Sequence, residues 1–266
     1  MPVGENGSGK YGLVLDGTFN GWLTGVDLGG VSAPVDADTR RVSRIMIQDT
    51  VCTLESKPGP QIAGWLSQVV SGNRMRKDLE IVYLDYNLKA LNTLFFQGAQ
   101  LSEVAFPACG TGSKDPGNLL FRFRPDRQRM QTGNPSKALS TWRRPPMFRA
   151  SDFKLSIEGI DCSTVSEISG ITLKMNSSRQ NGYSTQSSAG TEIVLRLPDR
   201  QSAPFVQWSR GSQNATKPGT LEYGSSLKLV VDDLLLISVG QDKGRAAQAG
   251  KTSVRLFCSQ FSMKWS

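Results

Sequence analysis

The chain contains no histidine. That removes the commonest general base, the Ser-His and Cys-His dyads, and the imidazole ligands of most catalytic zinc sites. Its four cysteines, Cys52, Cys109, Cys162 and Cys258, include no C-x-x-C pair, so neither a zinc ribbon nor a thioredoxin-like site is supported. They read as buried free thiols, since unpaired cysteine behaves as a small apolar residue. No stretch approaches the roughly 18–20 apolar residues that cross a bilayer, and MPVGENGSGK lacks the apolar core of a signal peptide. The expectations are no enzyme, no catalytic residues, no metal, no cofactor, no membrane, and residence in the cytoplasm.

One nucleotide-binding motif is nearly present. Residues 4–11, GENGSGKY, miss G-x-x-x-x-G-K-[ST] only at Tyr11. That loop works between a buried strand and a helix whose first amides face the phosphates. Here no strand can precede Gly4, and YGLVLDG after Lys10 reads as a strand entering a turn. Asp232 and Asp233 in LKLVVDDLLL imitate the second motif, but the apolar run continues beyond them, as at a strand bend or edge. An ATPase is not supported, and residues 1–10 read as a flexible tail.

The rest reads mainly as strands. GLVLDG, TGVDLGGVSAPV, RIMIQDTVCTL, LEIVYLDYN, NTLFFQGAQLSEVAF and NLLFRFR are short β-branched or aromatic runs bounded by Gly, Pro, Asn and Asp. PGPQIAGWLSQVVSGN alone has helical spacing before residue 150. Ile62, Trp65, Leu66, Val69 and Val70 share one face, Pro60 suits the first turn, and Gly72-Asn73 ends the helix.

The order then recurs. The acidic-Gly pairs Asp16-Gly17 and Glu158-Gly159 are 142 residues apart, and the helix prolines Pro60 and Pro204 are 144 apart. LEI at Leu79 matches LEY at Leu221, and LKALNTLFF at Leu88 matches LKLVVDDLLL at Leu227. With NLLFRFR and SVRLFCSQFSMKW as closing strands, this predicts an internal duplication. The fold class is mainly β: two tandem tube-like β-barrel or sandwich domains, each with one short helix. The boundaries are a tail at 1–10, domain one at 11–130, a basic linker at 131–147 and domain two at 148–266.

Phe153–Met175 carries a resemblance. A strand ending in Glu158-Gly159 is followed by Ser166, Glu167, Ile168, Ser169, Gly170 and Ile171, and a single helix and a last strand ending in an aromatic come later. This pattern resembles the tail-tube protein family of contractile phage tails and contractile injection systems, as GWLTGVDLGG at 21–30 resembles the first half of its two-domain relatives. The resemblance implies a structural protein of a tail tube, cap or baseplate-adaptor ring. It implies a homo-oligomer, either three chains in a pseudo-sixfold ring or six chains. Its partners would be neighbouring tail or baseplate proteins, with DNA or an effector passing non-specifically through the lumen. The protein would assemble in the bacterial cytoplasm and then belong to the particle. The turns Gly17, Gly159 and Gly170 are its structural positions.

Charge is concentrated. Between Arg122 and Arg149 lie eight basic residues and one acid, Asp126, so that stretch holds seven of the chain's eight net positive charges. It reads either as a solvated linker or as an electrostatic contact with an acidic neighbour or with nucleic acid. Arg122, Arg124, Arg127, Arg129, Arg143 and Arg144 are the candidate interface. The rival function is a tandem β-sandwich that binds carbohydrate or protein, with Trp22, Trp65 and Trp208 as a platform. Trp65 and Trp208 hold matching helix positions, which favours core packing instead.

Overall fold

The computed structural model describes residues 10–33, 35, 38–42, 46–55, 57–85, 87–132, 148–180, 183–211, 215–241 and 250–266. The sequence-predicted tail therefore lies outside the described residues except for Lys10, and so does residue range 133–147 of the basic linker. In chain order the first half forms β1 (Lys10–Leu15), β2 (Thr18–Asp27), β3 (Val31–Ser32), β4 (Met46–Ile47), β5 (Thr50–Leu54) and α1 (Pro60–Val70). It continues as β6 (Arg76–Leu84), β7 (Ala90–Phe106), β8 (Cys109–Gly110), β9 (Leu119–Arg124) and β10 (Arg127–Thr132). The second half forms β11 (Phe153–Ile157), β12 (Glu167–Ile168), β13 (Ile171–Gln180), β14 (Tyr183–Ser188), β15 (Thr191–Pro198) and α2 (Ala203–Arg210). It ends with β16 (Thr216–Tyr223), β17 (Leu227–Gln241), β18 (Lys251–Cys258) and β19 (Phe261–Trp265). The fold is mainly β with two short helices among the described residues, organised as two tandem β domains.

The first compact unit comprises the described residues of 1–65, 75–103 and 120–146. Its strands pair in a closed cycle, β7-β6-β1-β2-β5-β9 with β9 returning to β7, and β10 adds to β7 outside the cycle. Leu13, Val14 and Leu15 are all fully buried, so β1 is covered on both faces, as a strand inside a closed sheet must be. Asp16 and Gly17 connect β1 to β2 with φ of 50° and 73°. Two successive positive φ values match the right-handed twist of a hairpin, which is why Asp-Gly stands there. Asp232-Asp233 has a structural role as well: the Asp233 carboxylate accepts from the Ser259 and Gln260 amides and from Ser259 Oγ, anchoring the turn between β18 and β19. Lys10 opens a strand, where a phosphate loop requires a helix.

Helix α1 follows the spacing read from the sequence. Ile62, Trp65, Leu66, Val69 and Val70 are all buried. Its N-terminus is capped from another element: Asn20 on β2 is fully buried, and its Oδ1 accepts from the Ile62 amide at 3.2 Å. The Asn20 Nδ2 donates to Gln61 Oε1 and to the Thr18 carbonyl at 2.6 and 2.7 Å. Such trans capping satisfies an amide that the helix itself leaves unpaired.

The second unit comprises the described residues of 66–74, 104–119 and 147–266. It repeats the pairing plan, β11-β16-β17-β18-β15-β12, with β19 on β17 as β10 is on β7. Here the cycle is not closed by its own strands, since β12 is two residues long and β11 meets only an isolated Ile157–Ile160 bridge. Instead β8 pairs with β12. The Gly110 amide donates to the Ala150 carbonyl and the Thr111 amide to the Ser166 carbonyl, so this stretch spans from β12 to the lead-in of β11.

Two of the sequence matches fail in register. Leu15 pairs with Leu79, whereas Ile157, 142 residues after Leu15, pairs with Gly219, 140 after Leu79. Leu221 therefore corresponds to Ile81, not to Leu79. Leu227 is a buried strand residue opposite Tyr223, whereas Leu88 sits in the turn before β7 at φ 60° and is largely exposed. The repeated Leu-Lys pair is a coincidence of composition, and Ala90, opposite Leu84, begins the matching strand.

At Gly159 φ is 68°, and at neither glycine does added bulk meet a neighbour closer than 3.4 Å. The cost of a side chain there is conformational. Gly17→Val and Gly159→Val are each expected to lower stability by about 1–2 kcal/mol, the cost of the left-handed region for an L-residue. Urea melts of the two variants check this, and unchanged midpoints at both would refute it.

Candidate assembly surface

The basic stretch begins on β9, where the side chains alternate: Leu119, Phe121 and Phe123 are buried, while Arg122 and Arg124 face away. Both outward arginines already face acids of their own chain. Arg124 Nε lies 2.7 Å from Asp49 Oδ1, and Ser102 Oγ donates to Asp49 Oδ2 at 2.6 Å, so a largely buried carboxylate is satisfied from β7 and β9. Arg122 Nε is 3.8 Å from Glu103 Oε1. Asp126, the one acid of the stretch, pairs with Arg76.

Strand β10 differs. All six residues, Arg127 to Thr132, are exposed on both faces, and the strand pairs only with β7. The Arg129 guanidinium lies 4.5 Å from the Phe95 ring centroid, a cation–π contact. It also opposes the rise that partial burial imposes on the Glu80 carboxyl pKa. Arg127 has no partner among the described residues, and Met130 is 67% exposed. Arg143 and Arg144 lie outside the described residues. The six candidate arginines thus separate into two that are internally neutralised, one that is packed, one that is free and two that are not described.

The Ser166–Ile171 motif resolves into a clamp on β15. The Ser166 amide and hydroxyl both donate to the Arg196 carbonyl, at 2.8 and 3.2 Å. Ser169 donates its amide to the Val194 carbonyl and accepts the Val194 amide on Oγ, both at 2.9 Å. Ile168 and Ile171 are buried. Gly170 permits close approach, since a Cβ there would stand 3.2 Å from the Phe106 carbonyl oxygen.

Glu167 on β12 receives Lys251 Nζ at 2.6 Å and Arg196 Nη1 at 3.0 Å. The Lys251 hydrogen bond, opposed by partial burial and aided by Arg196, holds its carboxyl below the usual glutamate range. A depressed folded pKa stabilises above the ordinary glutamate range, and that contribution fades as pH falls through the folded value. Glu167→Gln is therefore expected to flatten the acid side of the pH–Tm profile while leaving the shape above neutrality unchanged. Parallel acid losses in both proteins would show that the cluster contributes nothing.

The remaining titratable groups are buried or structural. All four cysteines are unpaired and buried, and burial pushes the Cys109 and Cys162 thiols up to about 12 and about 11. Thiolate chemistry needs the opposite shift. No group of three or more Cys, Asp or Glu able to hold a metal occurs among the described residues. Trp22, Trp65 and Trp208 are buried, at 6%, 1% and 9% exposure, so they do not form an exposed sugar platform. Among the described residues no helix is long and apolar enough to cross a membrane.

A groove of about 400 Å³ lies beside β11, lined by Thr111, Ser151, Phe153, Leu155, Asp161 and Cys162 among others. No sequence signal marked it, because it arises from the shortness of β12.

No family model matches this chain, and no curated protein does. A solved structure similar to part of it belongs to the baseplate of the anti-feeding prophage, determined by cryo-electron microscopy with sixfold symmetry. The TM-score is 0.36 at 11% identity, over 48% of this chain and 95% of that one. A likeness at that level is too distant to carry a fold or a role across.

Proposed function

We propose that this protein is a structural, non-enzymatic subunit that assembles into a ring of a phage tail or contractile injection particle, as tube, cap or baseplate adaptor. The observation that carries the reading is one pairing plan built twice in a single chain, each copy with an outer strand paired on one side only. Exposed strand edges are normally a liability, and a protein that keeps them gains a means of joining copies. Two equivalent units per chain make three chains enough for a pseudo-sixfold ring, with six chains as the larger alternative. The residues support the reading in a second way. The conspicuous acids have structural partners: Asp49 holds Ser102 and Arg124, Asp233 caps a turn, and Glu167 ties Lys251 to Arg196.

The test is electron microscopy of the purified full-length protein together with sedimentation velocity. Rings or stacked rings are expected. A monomer at every concentration, and at low as well as high salt, would overturn the reading.

A further inference from the structure

We propose that β10 of one copy lies along the free edge of β11 in the next copy, joining chains head to tail. The proposal rests on the ring reading above and names the two edges that meet. Strand β11 is hydrogen-bonded to β16 on one side. On its other side, among the described residues, only the Ile157–Ile160 bridge reaches it. In the first unit the equivalent side of β1 is taken by β2 along its length, from Tyr11–Leu23 to Leu15–Thr18. In the second unit that side opens onto the groove, and Phe153 and Leu155, which line it, are only half buried. An extended strand there would complete the ladder and cover both apolar side chains.

The second copy offers a strand of matching length and charge. β10 has six residues against five in β11. Its outer edge is unpaired, and it is exposed on both faces. Arg127 and Arg129 lie two residues apart and so point to the same face. Around β11 stand three exposed acids, Asp152, Glu158 and Asp161, against one exposed cation, Lys154. Lys217, near the turn, is engaged by the Glu158 carbonyl and the Trp208 ring. The corresponding outer strand of the second unit, β19, is less available, since Phe261 and Met263 are already buried. Because β10 and β11 are different surfaces, the contact is heterologous, which repeats until a ring closes or a filament grows.

The full-length protein tests this by charge exchange. Arg127→Glu with Arg129→Glu, and separately Glu158→Arg with Asp161→Arg, are each expected to weaken assembly at least tenfold in sedimentation velocity at low salt. Combining all four is expected to restore most of it. Circular dichroism melts matching the wild type show that the variants fold. Independently, Gln128→Cys and Ser156→Cys in one chain should give a ladder of disulfide-linked multimers on oxidation, and neither substitution alone should. If the wild type forms rings while the charge variants sediment unchanged and no ladder appears, another surface joins the copies: this proposal fails and the ring reading stands. If the wild type never assembles, both fail, and the groove is left for a strand of a different protein.

Discussion

Replacing Phe121 by alanine is expected to lower stability by about 3–5 kcal/mol, the usual range for removing a buried phenylalanine. Phe121 is fully buried on β9. It meets Trp65 of α1 edge-on at 6.4 Å and Phe123 at 6.1 Å between ring centroids, and Phe123 in turn meets Phe96 at 5.1 Å. The ring therefore links the helix to the aromatic row inside the first unit, where its loss removes transfer energy and leaves a cavity between parts that cannot collapse together. Chemical denaturation read by tryptophan fluorescence measures the effect, since Trp65 borders the cavity. A loss below about 1 kcal/mol would mean that the site repacks and that the aromatic row is not a rigid core.

Asn20→Leu should have the second largest effect, about 2–4 kcal/mol. The substitution keeps the volume but strips three hydrogen bonds from a fully buried position. Losing a helix cap costs about 0.5–2 kcal/mol, and each buried partner left unsatisfied adds about 1–3 kcal/mol. The sum is held below the simple total because the Gln61 side chain can turn to solvent. Hydrogen exchange distinguishes this from a general loss of packing, since the Ile62 amide should lose protection before the amides of β1 do. Equal loss at both places would argue that Asn20 fills space and does not cap.

Local signals in the sequence carried most of the fold. The apolar face of α1, the alternation of Phe121 and Phe123 with Arg122 and Arg124, and the Asp16-Gly17 turn all follow from periodicities of a few residues. What the sequence hid depends on distance or on insertions. The repeat drifted out of register because bulges interrupt the ladders, between Lys77 and Leu79 in one unit and between Lys217 and Gly219 in the other. A bulge adds a residue without adding a side chain to the face. The candidate interface was legible only as a sum of charge. Which arginines are neutralised depends on Asp49, 75 residues from Arg124, and on Glu103, neither of which neighbours them in the chain. The clamp formed by Ser166 and Ser169 was visible as a motif but not as a mechanism, because its partners, the main chain of Val194 and Arg196, carry no sequence signature.

The two-residue strand β8 imposes an order on the making of the molecule. It is translated with the first half of the chain yet pairs with β12, and Ile168 follows Gly110 by 58 residues. At the ordinary pace of about 5–20 residues per second, the main chain of Cys109 and Gly110 waits about 3–12 seconds before its partner is even synthesised. Throughout that interval the first half carries an unsatisfied tether, and the second unit cannot finish folding as a self-contained body. A chain halted after β10 would keep β8 unpaired and open to any other extended segment in reach. Completion of the second unit thus acts as a proofreading step on the first.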